Sequence, residues 1–533
     1  MLRKLPFFCL LFLICISLAS CSYPQPEQIR ILQQPKKPAT KTGQKVIVLM
    51  VDSILSDSID KLVTMNKAPA LSFLIKNGMY RRDLISSFPT MSVTIESSLL
   101  TGAYADQHKI PGLLWFHPAE KRIVNYGDGF RVAWKPGLAD WAYDSIYNLN
   151  QSHLSSKTRT LHEDLHKKGF STASINTMVY RGDFKHTLVL PKLVSNTLNL
   201  PAQMQVMGPE MLGFGSLRKL TNQRIAEGPF QSFGVNDSYT TNHLINVIKQ
   251  GSLPDLTIAY FPDMDGKLHK HGPTYLSALQ KFDKKLQSIL DAFGDWNKAI
   301  ENHTFMIIGD SGVTSSGKDR QQSLIRLEKM LGQYQPYRLG KTVLPSDDIA
   351  FAINGRMSYV YSLSSRASIP ALVNSLKHDD RIDLLAWKEA DWIHVRQGNS
   401  NRQMAYRPGK SEIDRFGQRW DIRGDFSVLD LRRNPQDNRL NSSSFPDGLQ
   451  RLFSAFASHK GSFLVISAKN GAEFTADGSP NHLGGGNHGS LHRTDTLIPL
   501  IIAGKRALPP PERIVDMKPY IIALLTRDKQ PPK

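Results

Sequence analysis

Three apolar runs in this chain close on aspartate. They are KVIVLMVD at residues 45–52, LTIAYFPDMD at 256–265 and HTFMIIGDSG at 303–312. Their Val, Ile and Leu residues run continuously rather than alternating with polar ones. A central strand of a parallel sheet, buried on both faces, reads this way. Helix-like segments lie between the runs, such as LSALQKFDKKLQSILDAF at 276–293, and residues 158–175 read as a helix, a glycine stop and a strand. FLVISA and LIPLIIAG are further strand candidates near the C-terminus. Alternating strands and helices predict an α/β fold with a largely parallel central sheet flanked by helices. Such sheets bind ligands beyond the carboxyl ends of their strands. Three strands that each end in a carboxylate therefore predict a cation site at that edge.

The densest group of metal-capable side chains follows the second run, in DMDGKLHKHGP. Asp265 and His269 are four residues apart, so one helical turn or a compact loop can aim both at one ion. Carboxylate and imidazole together suit a borderline cation such as zinc. Asp263 and His271 are expected at the surface. Downstream, NHLGGGNHGSLHRTD places His488 in a glycine-rich loop before a buried strand, where core packing explains a histidine poorly. His488 is a candidate third ligand, with His482 and His492 expected to be structural or exposed. A hydroxyl-rich stretch, SSFPTMSVTIESSLLTG, occupies residues 86–102 and by composition reads as caps and turns.

In order, the pieces are Asp52 after a strand, a FPT…TG loop, DxxxHxxGP, GDxG and HG. That order resembles the alkaline phosphatase superfamily, specifically the type I phosphodiesterase/nucleotide pyrophosphatase family, over roughly 45–316 and 461–505. The resemblance implies phosphoryl transfer at two divalent cations through a covalent phospho-enzyme intermediate. It places Asp265, His269 and His488 around one cation, and Asp52 and Asp310 around the other. It puts the nucleophile at Ser92, with Thr90 and Thr94 as the fallback hydroxyls. Zinc is the first expectation, with manganese or magnesium the alternative at the Asp52/Asp310 site.

Two departures stand out. Where the family has DHG, this chain has Asp310-Ser311-Gly312, and serine is a far poorer zinc ligand than imidazole. Where the nucleotide pyrophosphatases carry an Asn beyond the nucleophile, this chain has Leu113, which argues against nucleotide diester specificity. The adjoining LLWF is read as core, with an apolar wall for a lipid or glycosyl group as the alternative. Other activities on the same fold remain open: phosphoglycerol or phosphoethanolamine transfer, or sulfate ester hydrolysis. The sulfatase reading lacks the C/S-x-P-x-R pattern. A further reading is a non-catalytic lipoprotein that binds an envelope polymer, and Ser311 is its best support.

The chain begins MLRKLPFFCLLFLICISLASC, two cations, an apolar run and small residues before a cysteine. Residues 1–20 read as a signal peptide, and LASC resembles a bacterial lipobox that leaves a lipidated Cys21. The three cysteines are Cys9, Cys15 and Cys21, so the body has neither a disulfide nor a thiol nucleophile. Residues 21–44 are Pro-, Gln- and Lys-rich and read as a tether on the outer face of a bacterial membrane. The expected organisation is a core of 45–316 and 461–533, with 317–460 inserted as a cap. Within the cap, SLIRLEKMLGQY reads as a helix, RMSYVYSL and DWIHVRQG as strands, and DRFGQRWDIRGDF with LDLRRNPQDNRLN as basic loop. A formal charge of +19 suits phosphate esters, anionic headgroups or cell-wall polymers. Nucleic acid is not expected, because no interleaved aromatic and basic platform is legible.

Overall fold

The computed structural model describes residues 45–127, 137–220, 234–504 and 508–526. The expected signal peptide, Cys21 and tether lie outside the described residues. Seven strands form the central sheet: β1 (Lys45–Val51), β2 (Gly78–Ile85), β3 (Thr172–Ile175), β4 (Met211–Gly213), β5 (Leu256–Phe261), β6 (His303–Gly309) and β7 (Leu497–Ala503). Their order is β2-β7-β6-β1-β5-β3-β4. The sheet is mixed but mostly parallel, with β7 running against its neighbours β6 and β2.

The continuous apolar runs are explained by burial on both faces. From β1, Val46, Val48 and Met50 enter one hydrophobic cluster, while Ile47, Leu49 and Val51 enter another on the opposite face. The pleat thus sends alternate residues into two separate cores. The three aspartate-ending strands are also neighbours, in the order β6-β1-β5. All three run parallel, so their carboxyl ends share one edge.

A second sheet of seven strands follows the order Ile349–Asn354, Met357–Ser362, Phe463–Ala468, Ile382–Glu389, Trp392–Gln397, Gln403–Ile413 and Arg419–Gly424. Every pairing in it is antiparallel. FLVISA lies third in this sheet, beyond the expected cap boundary at 460. Val465 and Leu464 point into cores on opposite faces of it. SLIRLEKMLGQY is a short strand, Leu324–Arg326, followed by one helical turn, Leu327–Met330, because Ile325 pairs beside Phe474. The basic stretch expected as loop contains the strand Arg419–Gly424. Its Trp420 is buried against Tyr406 and donates its indole N–H to Asp414.

One turn of the second sheet carries a buried ion pair. Arg356, which follows Gly355 there, is fully buried and forms an ion pair with Asp495 at 2.6 Å. Its other guanidinium contacts are Thr314, Ser490, Asn470 and the Ala468 and Ala472 carbonyls. Arg356→Met would leave Asp495 buried without its counter-charge. Removing one partner of such a pair costs about 3–5 kcal/mol. Thermal unfolding in chelator is expected to show that loss, and an unchanged melting temperature would refute it.

Candidate active site

The hydroxyl-rich stretch is a helix, α1 (Ser92–Thr101), and not a run of turns. Every residue from Val93 to Thr101 is buried. Ser97 and Thr101 each donate to the carbonyl four residues earlier, while the buried Thr94 Oγ1 has no hydrogen-bond partner among the described residues. Ser98 meets His108. Ser92 alone stands half-buried, in the first turn, and its Oγ donates to Asp310 Oδ2 at 2.9 Å. Thr90 is occupied otherwise: its Oγ1 accepts from the Gly489 N–H at 2.7 Å. Thr94 is fully buried within α1.

DMDGKLHKH forms a helix, α2 (Asp263–His271), directly after β5. One turn separates Asp265 from His269, and His269 Nε2 lies 3.2 Å from Asp265 Oδ1. His488 Nε2 reaches the same oxygen at 3.4 Å. Candidate ligand atoms of the three residues all lie within 4.8 Å of one another. Backbone carbonyls accept at the other ring nitrogens: Gly486 O at His269 Nδ1 (2.8 Å) and Thr90 O at His488 Nδ1 (2.6 Å). A carbonyl only accepts, so each Nδ1 carries a proton, and Nε2 is the nitrogen left to bind an ion once it gives up any proton of its own. Glycines let the histidine loop approach α2. A Cβ on Gly485 would sit 1.9 Å from the His269 carbonyl oxygen.

Asp52 and Asp310 close the second half of the edge. Both are buried, and neither has a cationic partner among the described residues. Burial and the charges of Asp310 and Asp265 push the Asp52 carboxyl well above its ordinary range. Burial also acts to raise Asp265, but His269 and His488 overcome it and hold that carboxyl well below its ordinary range. Tyr260 donates its hydroxyl to Asp52 Oδ2. Asp310 Oδ1 accepts from the backbone N–H groups of Ser53 and Ser311, at 2.8 and 2.6 Å. Uncompensated carboxylates at this depth are costly unless a cation joins them. The donor set therefore fits divalent ions. Nitrogen and oxygen donors gather at Asp265/His269/His488, and oxygen donors at Asp52/Asp310.

Several residues here were not legible in the sequence. Tyr260 reads as one more strand residue, and nothing local ties it to Asp52. His482 stacks on the His269 ring, with centroids 4.1 Å apart, and its Nδ1 meets the buried Glu473 carboxylate at 2.8 Å. Trp115 and Phe116 of LLWF are buried in hydrophobic cores, as first read. Several arginines of the expected cap pair with carboxylates, among them Arg407 with Asp421, Arg432 with Asp430 and Arg433 with Glu412.

Glu96 had one available signal, a lone carboxylate four residues beyond Ser92 in an otherwise uncharged helix. It is fully buried. Its Oε2 accepts from the Val179 N–H at 2.7 Å, and its Oε1 has no protein partner. Burial pushes its carboxyl from 4.5 up to about 8. Between those values the unfolded chain releases a proton that the folded chain keeps, so stability falls as pH rises through the window. Glu96→Gln removes that contribution. In chelator, the variant is expected to gain on the wild type from pH 5 to 8 by on the order of a few kcal/mol. Parallel urea-unfolding curves at both pH values would contradict this.

The type I phosphodiesterase / nucleotide pyrophosphatase family pattern matches residues 46–409. The mouse GPI ethanolamine phosphate transferase 3, catalytic subunit, is 26% identical over 210 residues, which are 37% of this chain and 18% of that protein. Its human counterpart is 24% identical over 213 residues, with the same coverage. The match thus spans under a fifth of either relative. Among solved structures, murine ectonucleotide pyrophosphatase / phosphodiesterase 5 superposes with a TM-score of 0.55 at 13% identity, covering 91% of this chain and 95% of that one. Phosphonoacetate hydrolase from Sinorhizobium meliloti 1021, in complex with phosphonoformate, gives 0.52 at 14% identity, covering 90% and 96%. These two likenesses establish the fold. Over two thirds of its length, and with an alkaline phosphatase-like sheet beneath the motifs, the chain belongs to the type I phosphodiesterase / nucleotide pyrophosphatase family.

Proposed function

We propose that this chain is an extracytoplasmic, metal-dependent phosphodiesterase or phosphatase in which Ser92 attacks phosphorus. The observation that carries the reading is the Ser92 hydroxyl, which stands 2.9 Å from Asp310 Oδ2 in the first turn of α1. It faces the same strand-end platform as Asp52 and the Asp265/His269/His488 group. Asp310 aims the Ser92 oxygen through the hydrogen bond it accepts. The helix N-terminus favours the negative charge of a phosphoryl group. The Ser92 oxygen gives up its proton and bonds to phosphorus as the bond to the leaving oxygen breaks, and the alkoxide takes up a proton to depart as the alcohol. Water then cleaves the phosphoserine ester and restores the hydroxyl.

Asp265, His269 and His488 would hold one cation, zinc by their donor chemistry, and Asp52 and Asp310 the other, manganese or magnesium as well as zinc. Bound cations would lower the proton affinity of the serine hydroxyl and offset charge on the attacking and leaving oxygens. The substrate is a phosphate ester. A lipid anchor at Cys21 would keep the enzyme at the membrane, and the mass of the mature N-terminal peptide tests that placement.

The test is turnover of bis-p-nitrophenyl phosphate and p-nitrophenyl phosphate with Zn²⁺ or Mn²⁺. The expected result is hydrolysis that chelation abolishes and either metal restores. Turnover indifferent to chelator would overturn the reading. The match to GPI ethanolamine phosphate transferases favours a second reading, in which an alcohol rather than water takes the phosphoryl group from Ser92. Added alcohol would then appear as a new phosphate ester in place of released phosphate.

A further inference from the structure

The residue after Asp52 is Ser53. It is fully buried and holds a left-handed backbone, φ 59°, which non-glycine residues seldom adopt. That conformation turns its hydroxyl into the centre of the site. Ser53 Oγ donates to Asp265 Oδ1 at 2.8 Å. Asp52 Oδ1 and Ser311 Oγ each lie 3.4 Å from Ser53 Oγ. A hydroxyl has one proton, and the shorter contact takes it. The Ser53 lone pairs therefore face the Asp52/Ser311 side, where no imidazole stands.

We infer that Ser53, with Ser311, supplies hydroxyl oxygens to the cation at Asp52 and Asp310, making that half of the site an all-oxygen pocket for a hard cation such as Mn²⁺ or Mg²⁺. This rests on the two-cation reading above. Adjacent oxygens around a six-coordinate ion with 2.0–2.1 Å bonds lie roughly 3 Å apart. Ser53 Oγ stands near that spacing from both neighbours. Because its proton goes to Asp265, the same side chain ties the two half-sites together. Strain held at φ 59° is a cost that a glycine here would avoid, which is consistent with a hydroxyl retained for its contacts.

Ser53→Gly is the clean test, because glycine accepts this φ and keeps the N–H that Asp310 receives. Mn²⁺ binding would be followed by titration calorimetry and Mn²⁺ paramagnetic resonance, with Zn²⁺ already loaded at the histidine site. The expected result is Mn²⁺ affinity about 10-fold weaker than wild type, with one tightly held Zn²⁺ per chain and a melting temperature of the metal-free protein that does not fall. Unchanged Mn²⁺ affinity in Ser53→Gly would overturn the inference and leave the two-cation reading standing. A wild type that binds one cation in total would overturn both.

Discussion

Ser92→Ala is expected to lower aryl phosphate ester turnover by at least about 10³-fold, with metal content and melting temperature unchanged. The size of the effect follows from the loss of the attacking atom. Neither fallback hydroxyl of the loop is placed to take over. Thr90 is engaged by the Gly489 N–H, and Thr94 is buried within α1. The indifference of stability follows from exposure, since Ser92 is the one residue of α1 that is not fully buried. Its hydroxyl makes a single side-chain contact, to Asp310. Ser92→Thr keeps a hydroxyl and is expected to retain part of the activity. Loss of activity accompanied by loss of metal would instead make Ser92 a support for the site rather than its nucleophile.

Asp265→Asn is expected to weaken zinc binding by more than about 10³-fold and to remove turnover with it. Asp265 Oδ1 is the shared centre of its half-site, contacted by Ser53 Oγ, His269 Nε2 and His488 Nε2. The amide cannot supply the negative charge that balances the ion, and its NH₂ group would face histidine nitrogens that need their lone pairs free. His269 has its ring pushed up to about 9, against the effect of burial, mainly by this carboxylate. In the variant that ring returns toward its ordinary range. Titration calorimetry with Zn²⁺ reads the affinity. Wild-type zinc affinity in Asp265→Asn would show that the ion is held elsewhere.

The central sheet was readable because its strands carry a local signal. An unbroken apolar run means burial on both faces, and the runs of β1, β5 and β6 each end at the edge they share. The ordered motifs pointed to Asp52, Asp265, His269, Asp310 and His488, and the fold brings these side chains to one edge. Partnerships across the chain were not readable. Tyr260 meets Asp52 across 208 positions of sequence, and Arg356 meets Asp495 across 139. No local pattern encodes such contacts, because they depend on which strands become neighbours. FLVISA was readable as a strand but not by sheet, since an apolar run does not say which sheet it joins. The serine-rich helix α1 was misleading for a physical reason. Hydroxyls favour caps and turns in water, but in a buried helix they bond back to the preceding turn, and composition cannot distinguish the two environments.

The measurement that bears most directly on the central claim is rapid-quench peptide mass spectrometry during turnover of a slow phosphate diester. A phosphoryl adduct on Ser92 that forms and decays at the rate of turnover is the predicted result. Turnover with no adduct, or with an adduct on a different residue, would contradict the account.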